Sequence, residues 1–126
     1  MSQVIKLNYR SVFKYENETE SFKYHGIASL DKKDNQTIIS YQDQNKIKIV
    51  LKENEVILHN DASILRLHQH HPVMNHYQTA YGALKLETRL ISYECGDTIK
   101  IKYGLYDGIH LLSQVYILLQ YQILEN

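Results

Sequence analysis

Four histidines gather within nine residues: His68, His70, His71 and His76. Imidazole is a common zinc ligand, and residues two apart on a strand project from one face, so His68 and His70 can share a metal. A closed site needs further ligands, yet no aspartate, glutamate or cysteine stands between Ala62 and Leu86, and Pro72 interrupts the run. No metal is expected there. Arg66, two residues before His68, offers different chemistry: with the imidazole it can anchor an anionic head group. The tyrosines offer a third. Eleven tyrosines accompany no tryptophan, and each ring pairs an apolar body with a polar tip. Tyr9, Tyr24, Tyr41, Tyr77 and Tyr103 stand on strand patterns from which they can line a cavity.

Catalysis finds little to work with. Ser11, Ser29, Ser40 and Ser63 have no flanking glycines of a nucleophile elbow. Cys95 sits in a Glu-Cys-Gly-Asp run whose carboxylates disfavour a thiolate. There is no glycine-rich phosphate loop. The expectation is a protein that is not an enzyme and carries no cofactor.

These side chains must be positioned by strands. Ile5, Leu7, Tyr9, Phe13 and Tyr15 alternate with Lys6, Asn8, Arg10 and Lys14, the period of a half-buried strand. Phe22, Tyr24, Ala28 and Leu30 repeat the pattern, with Gly26 inside it suggesting a bulge or bend. Lysine alternates with apolar residues from Lys46 to Lys52, and Leu65 and Leu67 face away from Arg66 and His68. The last strand, Gln114 to Ile123, is apolar on both parities: Val115, Ile117 and Leu119 against Tyr116, Leu118 and Leu124. The second set can seek a partner, which makes a homodimer through this strand an expectation. No stretch shows helical spacing with caps. The pattern predicts an all-β fold: a single antiparallel up-and-down β-barrel of about 8–10 strands.

The chain of 126 residues is expected to form one domain, residues 1–126. Fourteen basic residues balance fourteen acidic ones, so no net field draws nucleic acid or an anionic membrane. The longest apolar run, Val115 to Leu119, is too short to span a bilayer. A lone cysteine excludes an internal disulfide, and Met1-Ser2-Gln3 leads straight into a strand pattern rather than a leader. Both fit a cytoplasmic protein.

The strongest local signal is the hairpin around Gly82, which supplies the left-handed residue that closes a type I turn with a bulge. Leu84, Leu86, Thr88 and Leu90 then alternate with Lys85, Glu87 and Arg89. The run Tyr77-x-Thr79-x-Tyr81-Gly82-x-Leu84-x-Leu86-x-Thr88 resembles the central signature of the YwiB-like bacterial family of unknown function. The order of elements fits across nearly the whole chain. The resemblance implies a calycin-type, lipocalin-like barrel and no established activity. His59 and Asp61 replace an arginine and a glycine that the family tends to carry, and Ala80 replaces a frequent proline.

Three functions are weighed on these residues. The first is non-catalytic binding of a small, partly apolar or anionic ligand by Tyr9, Tyr24, Tyr41, Tyr77, Tyr103, Arg66 and His68. The second is a structural or interaction module, and the third a metal-binding protein built on the histidine cluster. The first is the expectation carried forward.

Overall fold

The computed structural model describes residues 2–61 and 63–124, with Gln78 and Thr79 described by their backbone alone. Ten strands run antiparallel to their sequence neighbours: β1 (Ser2–Lys14), β2 (Thr19–Lys33), β3 (Gln36–Gln42), β4 (Lys46–Leu51), β5 (Glu55–Asn60), β6 (Ser63–His68), β7 (Val73–Thr79), β8 (Gly82–Cys95), β9 (Ile99–Asp107) and β10 (His110–Ile123). Their order across the sheet is β6-β5-β4-β3-β2-β1-β10-β9-β8-β7. The sheet curls into a nearly closed up-and-down barrel, and the two strands that meet at the seam are β6 and β7.

The turns follow local chemistry. Asp34 and Asn35 both have positive φ, 52° and 63°, the mirror-image turn that suits a right-twisted hairpin. Thr79 pairs with Gly82 across a two-residue turn, and Gly82 has φ 116°. A β-carbon is strained in that region. Gly82→Val is therefore expected to destabilise the protein by about 1–3 kcal/mol in urea unfolding.

Inward parity builds the core. Ile5, Leu7, Leu30, Ile39, Ile49, Val56, Leu67, Ile101, Val115, Ile117 and Leu119 are buried, and they fill the barrel's middle. At one end the Tyr93 hydroxyl donates to the Lys52 carbonyl at 2.7 Å, drawing β8 to the end of β4. That end carries the Asp34–Asn35 turn, the start of β1 and the end of β10. The other end carries the β1–β2, β3–β4, β5–β6, β7–β8 and β9–β10 turns.

Two features shape that second end. The wall is uneven: β1, β2, β8 and β10 have 13, 15, 14 and 14 residues, whereas β4, β5 and β6 have six each. The wall is also split. β2 pairs with β1 from Ser2↔Asp31 to Lys14↔Thr19, but with β3 only from Ser29↔Ser40 to Lys33↔Gln36. Beyond Ser29 the two strands part.

Gly26 marks the split, though not as the bulge its place in the strand suggests. The β1–β2 register runs through it without a shift, with Leu7 opposite. A β-carbon at Gly26 would stand 3.0 Å from the Tyr24 hydroxyl and 3.2 Å from its ring. The glycine makes room for a tyrosine lying along the strand.

The second apolar parity of β10 is partly covered within the chain. The ammonium groups of Lys14 and Lys102 lie 5.6 and 4.9 Å from the centre of the Tyr116 ring, a cation–π arrangement that shields its face. Leu118 remains 40% exposed, opposite Arg10 on β1 and Lys100 on β9.

Candidate binding site: an aromatic cavity at the split end

A cavity of about 420 Å³ opens at the end carrying the Gly82 turn. Each strand contributes its last inward residues. β1 presents Tyr9, Ser11 and Phe13, β2 Phe22 and Tyr24, β3 Tyr41, β7 Tyr77, and β9 Tyr103 and Leu105. Ile49, Leu86 and Ile117 also line it. Alternation does the positioning, because inward residues below these points are the core and those above them have no opposing layer.

Five of the rings pack against one another in two groups. Tyr24 stacks on Tyr41 with centroids 4.1 Å apart and an interplanar angle of 19°. Tyr9 leans on Tyr41 at 6.1 Å, and Phe13 meets Phe22 edge-on at 5.6 Å. The Tyr24 hydroxyl donates to the Ile27 carbonyl at 2.7 Å, just where β2 has lost β3 as a partner. The Tyr24–Tyr41 stack thus spans the split that the missing ladder leaves.

Burial sets the protonation of these phenols. It raises the pKa of Tyr9, against a smaller lowering by a hydrogen bond with Ser11. It raises Tyr41 and Tyr103 further, with neighbouring tyrosines adding to the effect and Asp43 adding at Tyr41. All three are neutral hydroxyls at physiological pH. Their folded pKa values lie above the ordinary 10.0, so the stability they contribute is fully present below that value. It is lost as pH rises toward the folded values, because the unfolded chain releases those protons first. Phenolate absorbance in an alkaline titration is expected to show a late set of tyrosines that ionise together with unfolding. A titration completed with native circular dichroism intact would contradict this.

Polar groups crowd one side of the mouth: Lys23, Asp43, Gln44, Asn45, His59 and Asn60. Several serve the turns. The Asp61 carboxylate accepts from the Lys46 backbone N–H at 2.9 Å, and the Asp61 N–H donates to the Lys46 carbonyl at 2.9 Å. With its amide turned to satisfy both ends, Asn45 donates to Asp61 at 2.9 Å and contacts Asn60 at 3.0 Å.

All five sequence-derived tyrosines line this cavity. Arg66 and His68 do not. Leu65 reaches the cavity and Leu67 is fully buried, so the intervening Arg66 points outward into solvent, and His68 shares its parity. His68 stacks on His71 with centroids 4.0 Å apart, and its Nδ1 accepts the His70 backbone N–H at 3.1 Å. Among the described residues no three side chains of histidine, cysteine, aspartate or glutamate converge on a metal-sized point.

Sequence reasoning missed the residue that closes the barrel around the cavity. Among the described residues no backbone ladder joins β6 to β7; a side-chain amide stands in for it. Asn75 Oδ1 accepts the Arg66 N–H at 2.7 Å, and its Nδ2 donates to the Arg66 carbonyl at 3.3 Å. The Thr88 hydroxyl donates to the same carbonyl at 2.5 Å and accepts from Asn75 at 3.2 Å. Both side chains are buried. The available signal was an asparagine at an inward position between Val73 and Tyr77.

A larger depression of about 650 Å³ at the opposite end is more open and more polar, lined by Lys32, Lys52, Glu53, Tyr93, Cys95 and Asp97 among others. It lacks the aromatic wall, and its Lys52 is paired with Glu55 at 3.4 Å. The aromatic cavity is the stronger site.

Residues 5–119 match the family described as Domain of unknown function (DUF1934). The chain belongs to that family. This DUF1934 barrel is also similar to the crystal structure of the ywiB protein from Bacillus subtilis, at 22% identity and a TM-score of 0.72 over 96% of this chain and 93% of that one. At such identity the likeness shows the fold, in agreement with the resemblance carried by Tyr77 to Thr88. No curated protein matches the chain.

Proposed function

We propose that this DUF1934 barrel is a non-catalytic binding protein for a small, partly apolar molecule with a planar aromatic portion. The observation that carries the reading is the cavity itself. Its volume of about 420 Å³ falls within the ~300–1,000 Å³ of ordinary ligand sites. Stacked and tilted rings supply flat apolar walls, and neutral hydroxyls and carboxamides at the mouth supply orientation. The opposed charges of Lys23 and Asp43 favour a ligand with little net charge in the cavity.

A thermal-shift panel of fatty acids, haem and aromatic metabolites tests the proposal. Planar aromatic compounds are expected to raise the melting temperature, with a stabilisation of about 2.7 kcal/mol at a ligand concentration one hundred times Kd. Tyr77→Phe should weaken any ligand that hydrogen-bonds the hydroxyl and leave purely apolar ones unchanged. A panel that shifts nothing would remove the reading and favour an interaction module instead.

A further inference from the structure

We propose that a groove on the outer face of β2 to β5 is an oxyanion site, taking the phosphate or carboxylate group of a small ligand. Strand register builds it. Ser29 on β2 stands opposite Ser40 on β3, Ser40 opposite Lys48 on β4, and Lys48 opposite His59 on β5. Directly opposed residues share a face, with β-carbons about 4.5–5.5 Å apart. Two hydroxyls, an ammonium and an imidazole therefore form one row across four strands. All four line a groove of about 430 Å³, joined by Lys46 one outward position along β4.

The donors in this row have few competing partners. No ion pair among the described residues holds Lys46 or Lys48. The one carboxylate in the groove, Asp61, accepts the Lys46 backbone N–H at 2.9 Å. Ser29 Oγ reaches the Ser40 carbonyl only at 3.5 Å, the limit of a hydrogen bond. His59 is held below the ordinary imidazole range first by burial, then by Lys48 and Arg66. The field that disfavours a second cation there favours an anion. In a chain of zero net charge, this local excess of cations is a property of the groove rather than of the whole surface.

The row begins at Ser29↔Ser40, the last β2–β3 pair before the strands part. Ammonium with hydroxyl donors suits the several acceptor oxygens of a phosphate or carboxylate better than it suits a halide. Ser29, Ser40 and Lys48 line the groove and not the aromatic cavity, whereas His59, Tyr41 and Ile47 stand at the boundary of both.

Titration of the labelled protein with inorganic phosphate, and separately with acetate, at matched ionic strength tests the proposal by NMR. Saturable shifts of Ser40, Lys48 and His59 are expected with one or both anions; saturation by phosphate alone marks a phosphate site, and by acetate alone a carboxylate site. Lys48→Gln should weaken that binding at least tenfold while the remaining amide spectrum stays unchanged, and Lys100→Gln on the outer face of β9 should not. Shifts that stay linear and match those of sodium chloride would overturn the proposal. So would saturation that survives unchanged in Lys48→Gln.

Discussion

Replacing Asn75 with leucine is expected to cost about 2–4 kcal/mol of stability, although the two side chains are close in size. The seam explains the magnitude. Asn75 gives the Arg66 N–H its acceptor at 2.7 Å and donates to the carbonyls of Arg66 and Val73 and to Thr88 Oγ1 at 3.2–3.3 Å. Leucine returns none of these bonds. An N–H left unpartnered inside a protein costs about 1–3 kcal/mol by itself. The hydroxyl of Thr88 keeps its own bond to the Arg66 carbonyl at 2.5 Å, so the seam should loosen rather than vanish. Urea unfolding measures the loss, and hydrogen exchange at the Arg66 amide should accelerate beyond what the global change explains. A loss below about 0.5 kcal/mol, the range of surface changes, with unaltered exchange would show that the barrel closes by other means.

The second large effect concerns binding. Leu86→Phe enlarges a buried side chain that lines the aromatic cavity. The added ring extends into the cavity the side chain lines, and stability is expected to fall by no more than about 1–3 kcal/mol, the usual cost of moderate overpacking. Binding of a planar ligand such as indole should fall at least tenfold, because the added ring takes its place. Gly26→Ala approaches the same cavity from the wall. Its β-carbon would come within 3.0 Å of the Tyr24 hydroxyl, pushing the ring off the Ile27 carbonyl and off Tyr41. Indole affinity should change there as well, with the core intact. Titration calorimetry of both variants checks the pair; undiminished affinity in each would place the ligand elsewhere.

The strands were readable because one parity in most of them is largely apolar. That parity also placed Tyr9, Tyr24, Tyr41, Tyr77 and Tyr103 inward, and all five reach one cavity. The outward place of Arg66 is legible in the same pattern: with Leu65 and Leu67 facing inward, the arginine between them faces out. Other features depend on distant partners. Asn75 matters only because β6 and β7 meet at the barrel's seam, and periodicity along one strand says nothing of which strands end up adjacent. Gly26 reads as an irregularity in isolation, whereas its role is set by the ring of Tyr24 folding over it. The row of Ser29, Ser40, Lys48 and His59 needs three inter-strand registers at once. A shift of one residue in any of them would send a member to the other face.

Intermolecular NOEs from bound indole to the assigned protein are the most direct measure of where the barrel takes a ligand. The account predicts contacts with the rings of Tyr24, Tyr41 and Tyr103 and with the methyl groups of Leu86 and Ile117, all within the cavity at the split end. Contacts confined to Tyr93 and Tyr121 at the opposite end, or saturating indole that gives no contact with the interior, would contradict it.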